Sequence, residues 1–323
     1  RKEGMHMNIW TSISSVIIIL LLIALGYILN EKGWFVEGFN KSISNLITKI
    51  ALPCSIFVSV LKFFTKEKLI DLSSSLIWPL CGVIISYIIA FLLSKALRTR
   101  KGRIGTFRAS FVNANAIFIG LPLNIALFGE KSLPYFLVYY IINTISLWSL
   151  GAFLIAKDSK DEAHSTQKIT FKKLISKLLP PPLLGFLISI VFLWFQIPVP
   201  EFANSALTYV GNLVTPLSLI FIGIVLNKSG LKSIRFDKDT IGVLLGRFII
   251  SPLVLFLLLL PIPLSSLLKQ TLIVQSATAT PTVTPMLAAE AGGDVDFATN
   301  TVATSTILFM FVVPILMQLL QFV

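Results

Sequence analysis

Asn113-Ala114-Asn115-Ala116-Ile117-Phe118-Ile119-Gly120-Leu121-Pro122 is the stretch that decides how this chain folds. A second stretch has the same character: Ser276-Ala277-Thr278-Ala279-Thr280-Pro281-Thr282-Val283-Thr284-Pro285. Each interrupts an otherwise apolar span with helix-breaking and polar residues. At membrane depth, backbone groups freed by Gly and Pro must find partners in protein or in a water-filled cavity. Two interrupted helices at corresponding places in two halves point to the substrate site of a transporter.

Working outward, 55% of the 323 residues are hydrophobic and the mean hydropathy is +0.87. A soluble domain is nearer ~45–50% apolar. Apolar runs of membrane-spanning length, roughly 20 residues, recur along the whole chain. We read ten spans: 10–30, 42–62, 72–97, 107–128, 133–156, 174–196, 205–225, 238–262, 270–290 and 297–320. The expected fold is an all-α membrane protein with one polytopic domain over 8–323. Spans four and nine are the broken ones. Residues 1–7 read partly as an expression remnant.

Shifting the first five spans by 163 positions brings them onto the last five. Pro53 then falls on Pro216, Ser55 on Ser218, Pro122 on Pro285, Ala126 on Ala289 and Gly129 on Gly292. Two repeats are therefore expected, about 8–157 and 171–323, joined by a polar cytoplasmic linker over 157–177. Five is odd, so the second repeat starts from the opposite face and the repeats are inverted.

The formal charge of +12 reads as topology rather than nucleic-acid binding. Eighteen lysines and arginines fall to one side, among them Lys95, Arg98, Arg100, Lys101 and Arg103; seven fall to the other. By the positive-inside bias the first side is cytoplasmic and both termini lie outside it, in a plasma (inner) membrane. The basic loops would face anionic lipid.

No acidic residue lies mid-span, which argues against a carboxylate-based cation exchanger. His6 and His164 are far apart and outside the spans, so no metal site and no cofactor are expected. Cys54 and Cys81 read as core residues. An intramembrane metalloprotease would need His and Glu within spans. A serine protease would have only Lys49 as base. An enzyme is not expected.

The deep cations are Lys49 and Arg247. Each has two readings, attraction of an anion, or snorkelling and pairing with backbone carbonyls. The half-helix N-termini at the two breaks suit a carboxylate, and unwound carbonyls suit Na⁺. Asn113, Asn115, Thr278 and Thr280 can add donors. Their competing role is helix glue, which weighs more for the threonines and for Asn143 with Thr144 and Ser146. Asn115, ahead of Gly120-Leu121-Pro122, is the first candidate for function.

These motifs carry a resemblance. Asn115 to Leu123 followed by Ala126-Leu127-Phe128-Gly129, Arg247-Phe248 with Pro252 after them, and Leu52-Pro53-Cys54-Ser55 together resemble the auxin efflux carrier family of plant and bacterial organic-acid carriers. The resemblance implies a scaffold of spans 1, 2, 6 and 7 and a moving unit of spans 3–5 and 8–10. It also implies elevator motion and a homodimer through the scaffold. Asn115 matches the crossover asparagine that meets the substrate carboxylate, and Ser55 lies near a position lining that site. The plant carriers have Pro where this chain has Ala114, place the proline of the second crossover one residue earlier than Pro281, and often carry a long cytoplasmic loop missing here. Auxin itself is not carried over.

The expected function is secondary transport of a small organic anion, a mono- or dicarboxylate, around Asn115 and the Thr278–Pro281 backbone. Two alternatives stay open: a Na⁺-coupled carrier of the bile-acid type, and a membrane sensor that binds without translocating. The coupling ion, H⁺ or Na⁺, is undecided.

Overall fold

The computed structural model describes residues 9–158, 181–229 and 234–320. His6, His164 and most of the linker lie outside the described residues, as does the start of the sixth expected span. The described residues are mostly helical, with no strand. The helices are α1 (Ile9–Glu31), α2 (Phe39–Phe63), α3 (Lys66–Ala96), α4 (Ile104–Val112), α5 (116–128), α6 (Glu130–Ala156), α7 (Pro181–Phe195), α8 (Glu201–Lys228), α9 (Lys238–Leu259), α10 (Ser266–Ser276), α11 (Thr284–Ala291) and α12 (Val295–Leu319). Counting α4 and α5 as one, seven of these helices are long and apolar enough to cross a membrane.

Local chemistry sets the ends and the irregularities. The side chains of Thr65, Asp237, Ser265 and Asp294 cap α3, α9, α10 and α12 by accepting from the backbone N–H three residues on. Among the described residues, four π turns interrupt the α geometry: Ile47–Ala51, Ala116–Gly120, Leu147–Gly151 and Gly246–Ile250. Three run directly into Leu52-Pro53, Leu121-Pro122 and Ser251-Pro252. A proline ring clashes with the carbonyl one turn back and offers it no N–H, so the turn before it widens. Two of the pairs matched at the 163-residue shift hold like positions. Pro122 and Pro285 both sit in the first turn of a second half-helix. Gly129 and Gly292 both end one with positive φ, 74° and 68°, which only glycine adopts without strain.

The helices pack as two groups. In the first, α1 lies along α8, and α7 and the start of α8 lie along α2. Glycines permit the contact: a Cβ on Gly26 would fall 2.2 Å from the Ile220 carbonyl, and one on Gly185 would fall 2.8 Å from Pro53. Asn30 donates to Asn227 within the same group. The second group is α3 to α6 with α9 to α12. Between the groups lies an apolar seam, lined by Ile19 and Ile23 of α1, Ile119 and Leu123 of α5, Leu219 of α8 and Phe309 of α12.

One end of the second group is held by charge. Arg103, just before α4, donates to Asp294 at 2.6 Å and to Asp237 at 2.7 Å. The Asp158 carboxylate, after α6, accepts from the Gly105 and Thr106 N–H groups at 2.7 Å each. Lys238 donates to the Leu97 carbonyl at 2.7 Å. Loops 97–103, 234–237 and 292–294 and the end of α6 therefore share one end of the molecule, which carries Arg98, Arg100, Lys101 and Arg103. At another site, Lys62 pairs with Glu130 at 3.0 Å, joining the end of α2 to the start of α6.

Candidate functional site

The two breaks meet. The Asn115 N–H donates to the Ala279 carbonyl at 2.8 Å, so the gap between α4 and α5 is bonded directly to the gap between α10 and α11. The first break is extended at Asn113, with φ −87° and ψ 144°. Asn143 of α6 brackets it, accepting from the Ala114 N–H at 2.8 Å and donating to the Ala114 carbonyl at 3.0 Å. One side-chain amide thus replaces the helical partners that both groups lost. Asn113 is wholly buried. Its Nδ2 donates to the Tyr87 hydroxyl at 2.8 Å and to the Ala109 carbonyl at 3.0 Å, and its Oδ1 accepts from Ser146 at 2.7 Å.

The second break is held from α12 and from within. Thr280 N–H donates to Ser305 Oγ at 3.1 Å, and the two hydroxyls lie 2.9 Å apart. Thr278 Oγ1 donates back to the Gln275 carbonyl at 3.0 Å. The Pro281 carbonyl accepts from Thr284 Oγ1 at 2.8 Å. Gln275 reaches across to the first break and donates from Nε2 to the Gly120 carbonyl at 2.9 Å. A Cβ at Gly120 would fall 2.1 Å from Gln275 Oε1, so glycine is what lets this side chain approach.

Arg247, in the π turn of α9, is fully buried. It binds the carbonyls that end both first half-helices. Nη1 donates to Val112 at 2.6 Å, Nη2 to Ser276 at 2.7 Å and to Thr278 at 2.8 Å, and Nε to Thr278 at 3.0 Å. The Tyr139 hydroxyl lies against the guanidinium. No carboxylate pairs with it among the described residues.

Asn115 leaves one buried amide atom unmet, as Gln275 does with its Oε1. Its Oδ1 accepts from the Phe118 N–H at 3.3 Å and so caps the start of α5. Its Nδ2 is buried without a hydrogen-bond partner, although the residue is only 4% exposed. An unmet buried donor costs about 1–3 kcal/mol, so such a group calls for a partner supplied from elsewhere.

The structure thus brings Asn113, Asn115, Asn143, Thr278, Thr280, Pro281, Gly120 and Arg247 together. Pro122 and Pro285 start the two half-helices beyond the breaks. Ser55 and Lys49 do not enter this hydrogen-bond network among the described residues. Ser55 is half-buried where Gly211 packs on α2, a Cβ on that glycine falling 2.9 Å from the Ser55 Cα. Lys49 is exposed on the π turn of α2. Gln275, Ser305 and Tyr87 are parts of the site that the sequence reading passed over. Gln275 had a signal, a long amide inside an apolar span one residue before the second break. Ser305 and Tyr87 had none, since either residue is at home on any helix face.

Two crossed, broken helices braced by buried polar groups inside a lipid-soluble bundle define a membrane carrier. The chain belongs to the membrane transport protein family, the auxin efflux carrier family, whose sequence model matches residues 11–317. It is 26% identical over 277 residues to an uncharacterized transporter of Methanocaldococcus jannaschii, covering 84% of this chain and 87% of that one. It is 24% identical over 307 residues to an uncharacterized transporter of Methanothermobacter thermautotrophicus, covering 94% and 97%. A Schizosaccharomyces pombe uncharacterized transporter is 26% identical over 183 residues, 49% of this chain and 40% of that one. The protein is an integral membrane transporter.

Proposed function

We propose that this transporter is a secondary carrier, not an enzyme, that moves small organic anions, mono- or dicarboxylates, by elevator-type alternating access. The observation that carries the reading is the unpartnered Asn115 Nδ2 at the point where the two breaks touch. A substrate carboxylate supplies the missing acceptor. The start of α5 offers a positive dipole end, and the Thr278–Pro281 backbone lies beside it. Asn113, Asn143, Thr278 and Thr280 hold the breaks open from behind.

In this reading α4 with α5, and α10 with α11, each make one crossing. The chain then crosses ten times, as two inverted five-helix repeats. The pairing of α1 with α8 and of α7 with α2 supports it, because the 163-residue shift exchanges those pairs. The group of α1, α2, α7 and α8 is the scaffold, and its outer face carries the homodimer contact. The other group moves. The end holding Arg103 is cytoplasmic, both termini lie on the opposite face, and the membrane is the plasma (inner) membrane.

The test is a thermal-shift screen of the purified chain against small carboxylates, auxin-like acids and bile acids, in sodium and in choline salts. A ligand at 100 times its Kd adds about 2.7 kcal/mol of native-state stability. The expected hit is a small carboxylate whose shift disappears in Asn115→Ala, a variant that still folds after losing a cap of about 0.5–2 kcal/mol. A shift that survives in Asn115→Ala removes this site. Binding without uptake into liposomes makes the protein a sensor instead.

A further inference from the structure

Unwound carbonyls and half-helix C-terminal ends are where broken-helix carriers hold a coupling cation. In this chain both such ends converge on one side chain. The last carbonyls of α4 and of α10, and the Thr278 carbonyl just past α10, are taken by the Arg247 guanidinium at 2.6 to 3.0 Å. Each helix C-terminus carries about half a negative charge, so two of them call for about one positive charge. A guanidinium supplies it, with five N–H donors in a planar fork and a proton it keeps at any working pH. Ser251, one turn along α9, adds a hydroxyl contact to the Phe111 carbonyl at 3.4 Å. No acidic side chain competes for the charge among the described residues.

We infer that Arg247 is a tethered cation filling the place of a coupling Na⁺ between the two breaks, so that the crossover is organised without any bound metal ion. The consequence for transport, independence of Na⁺, rests on the carrier reading above; the consequence for the folded site does not. Arg247 is thus a positioning residue: it fixes the carbonyls, and through them the Asn115–Ala279 contact.

The experiment is thermal unfolding of the purified full-length chain with no organic substrate present, in NaCl, KCl and choline chloride at equal ionic strength. Wild type is expected to melt at the same temperature in all three. Arg247→Ala is expected to melt several degrees lower in choline chloride and to recover part of the loss on adding methylguanidinium or Na⁺, whereas wild type gains from neither. A Na⁺-specific rise in wild type overturns the inference. So does an Arg247→Ala variant that melts like wild type in choline chloride, or one that is lowered but indifferent to both added cations, since the side chain then acts only by packing. If Arg247→Ala does not fold, Arg247→Lys replaces it: a folded lysine variant that melts alike in the three salts supports the tethered charge, and failure of both variants overturns it. None of these outcomes depends on the substrate screen, so the two readings fail separately.

Discussion

At the scale of single residues, small size matters as much as polarity. Gly105 lies at the start of α4 where α6 ends. A Cβ there would fall 1.8 Å from the Leu154 carbonyl oxygen, and a backbone oxygen cannot step aside. Gly105→Ala is expected to destabilise the protein by about 1–3 kcal/mol, the usual cost of overpacking. Gly82 of α3 offers the contrast. Its added Cβ would meet the Leu255 Cδ2 at 2.8 Å, the far end of a side chain that can rotate. Thermal unfolding of the two variants side by side checks the claim; equal melting temperatures would show that the α4–α6 contact yields more than the geometry allows.

At the scale of elements, the charged end that joins α4, α9 and α12 gives a pH dependence with a definite sign. Partial burial raises the Asp237 carboxyl, but the Thr240 N–H and the Arg103 guanidinium outweigh it and hold the group below the ordinary 3.8. A depressed carboxylate contributes stability that is present above its unfolded value and lost as the pH falls through its folded one. Asp158 goes the other way. Burial pushes it above 3.8, and the two N–H groups it accepts from offset only part of that. Its contribution is full on the acid side and is lost as the pH rises through the folded value. Melting temperatures measured downward from pH 5 should therefore fall less in Asp237→Asn than in wild type. Parallel curves would mean that Asp237 holds nothing at that end.

At the scale of the whole molecule, the apolar seam between the two helix groups is what an elevator needs. On the elevator reading proposed above, methyl and aromatic surfaces such as Ile23, Leu123 and Phe309 would slide without breaking directional bonds. The Lys62–Glu130 pair crosses the same boundary, but both side chains are about half exposed, and such pairs are worth only about 0–1 kcal/mol. It marks a position without locking it. Replacing both residues by cysteine, in a background lacking Cys54 and Cys81, and bridging them with a thiol cross-linker should stop uptake into liposomes. A reducible cross-linker should let reductant restore it. Undiminished uptake by the cross-linked protein would rule out sliding at this boundary.

Much of this was legible in the chain. The expected spans overlap helices or a broken pair among the described residues, and seven of those helices are long and apolar enough to cross a membrane, because apolar runs of this length in lipid satisfy their backbone as helix. The breaks were legible because proline and glycine act on the turn in which they stand. The positive φ of Gly129 and Gly292 belongs to the same local chemistry. The bracket of Asn143 on Ala114, the reach of Gln275 to Gly120 and the hold of Arg103 on Asp294 and Asp237 were not legible. Arg247 is the plainest case: the sequence left it between attracting an anion and pairing with carbonyls, and its hydrogen bonds go to Val112, Ser276 and Thr278. The physical reason is that its partners are backbone carbonyls. Every residue carries one, so nothing in the residue types says which will be left free and aimed at one guanidinium; that is decided only when two distant helices break at the same depth and cross.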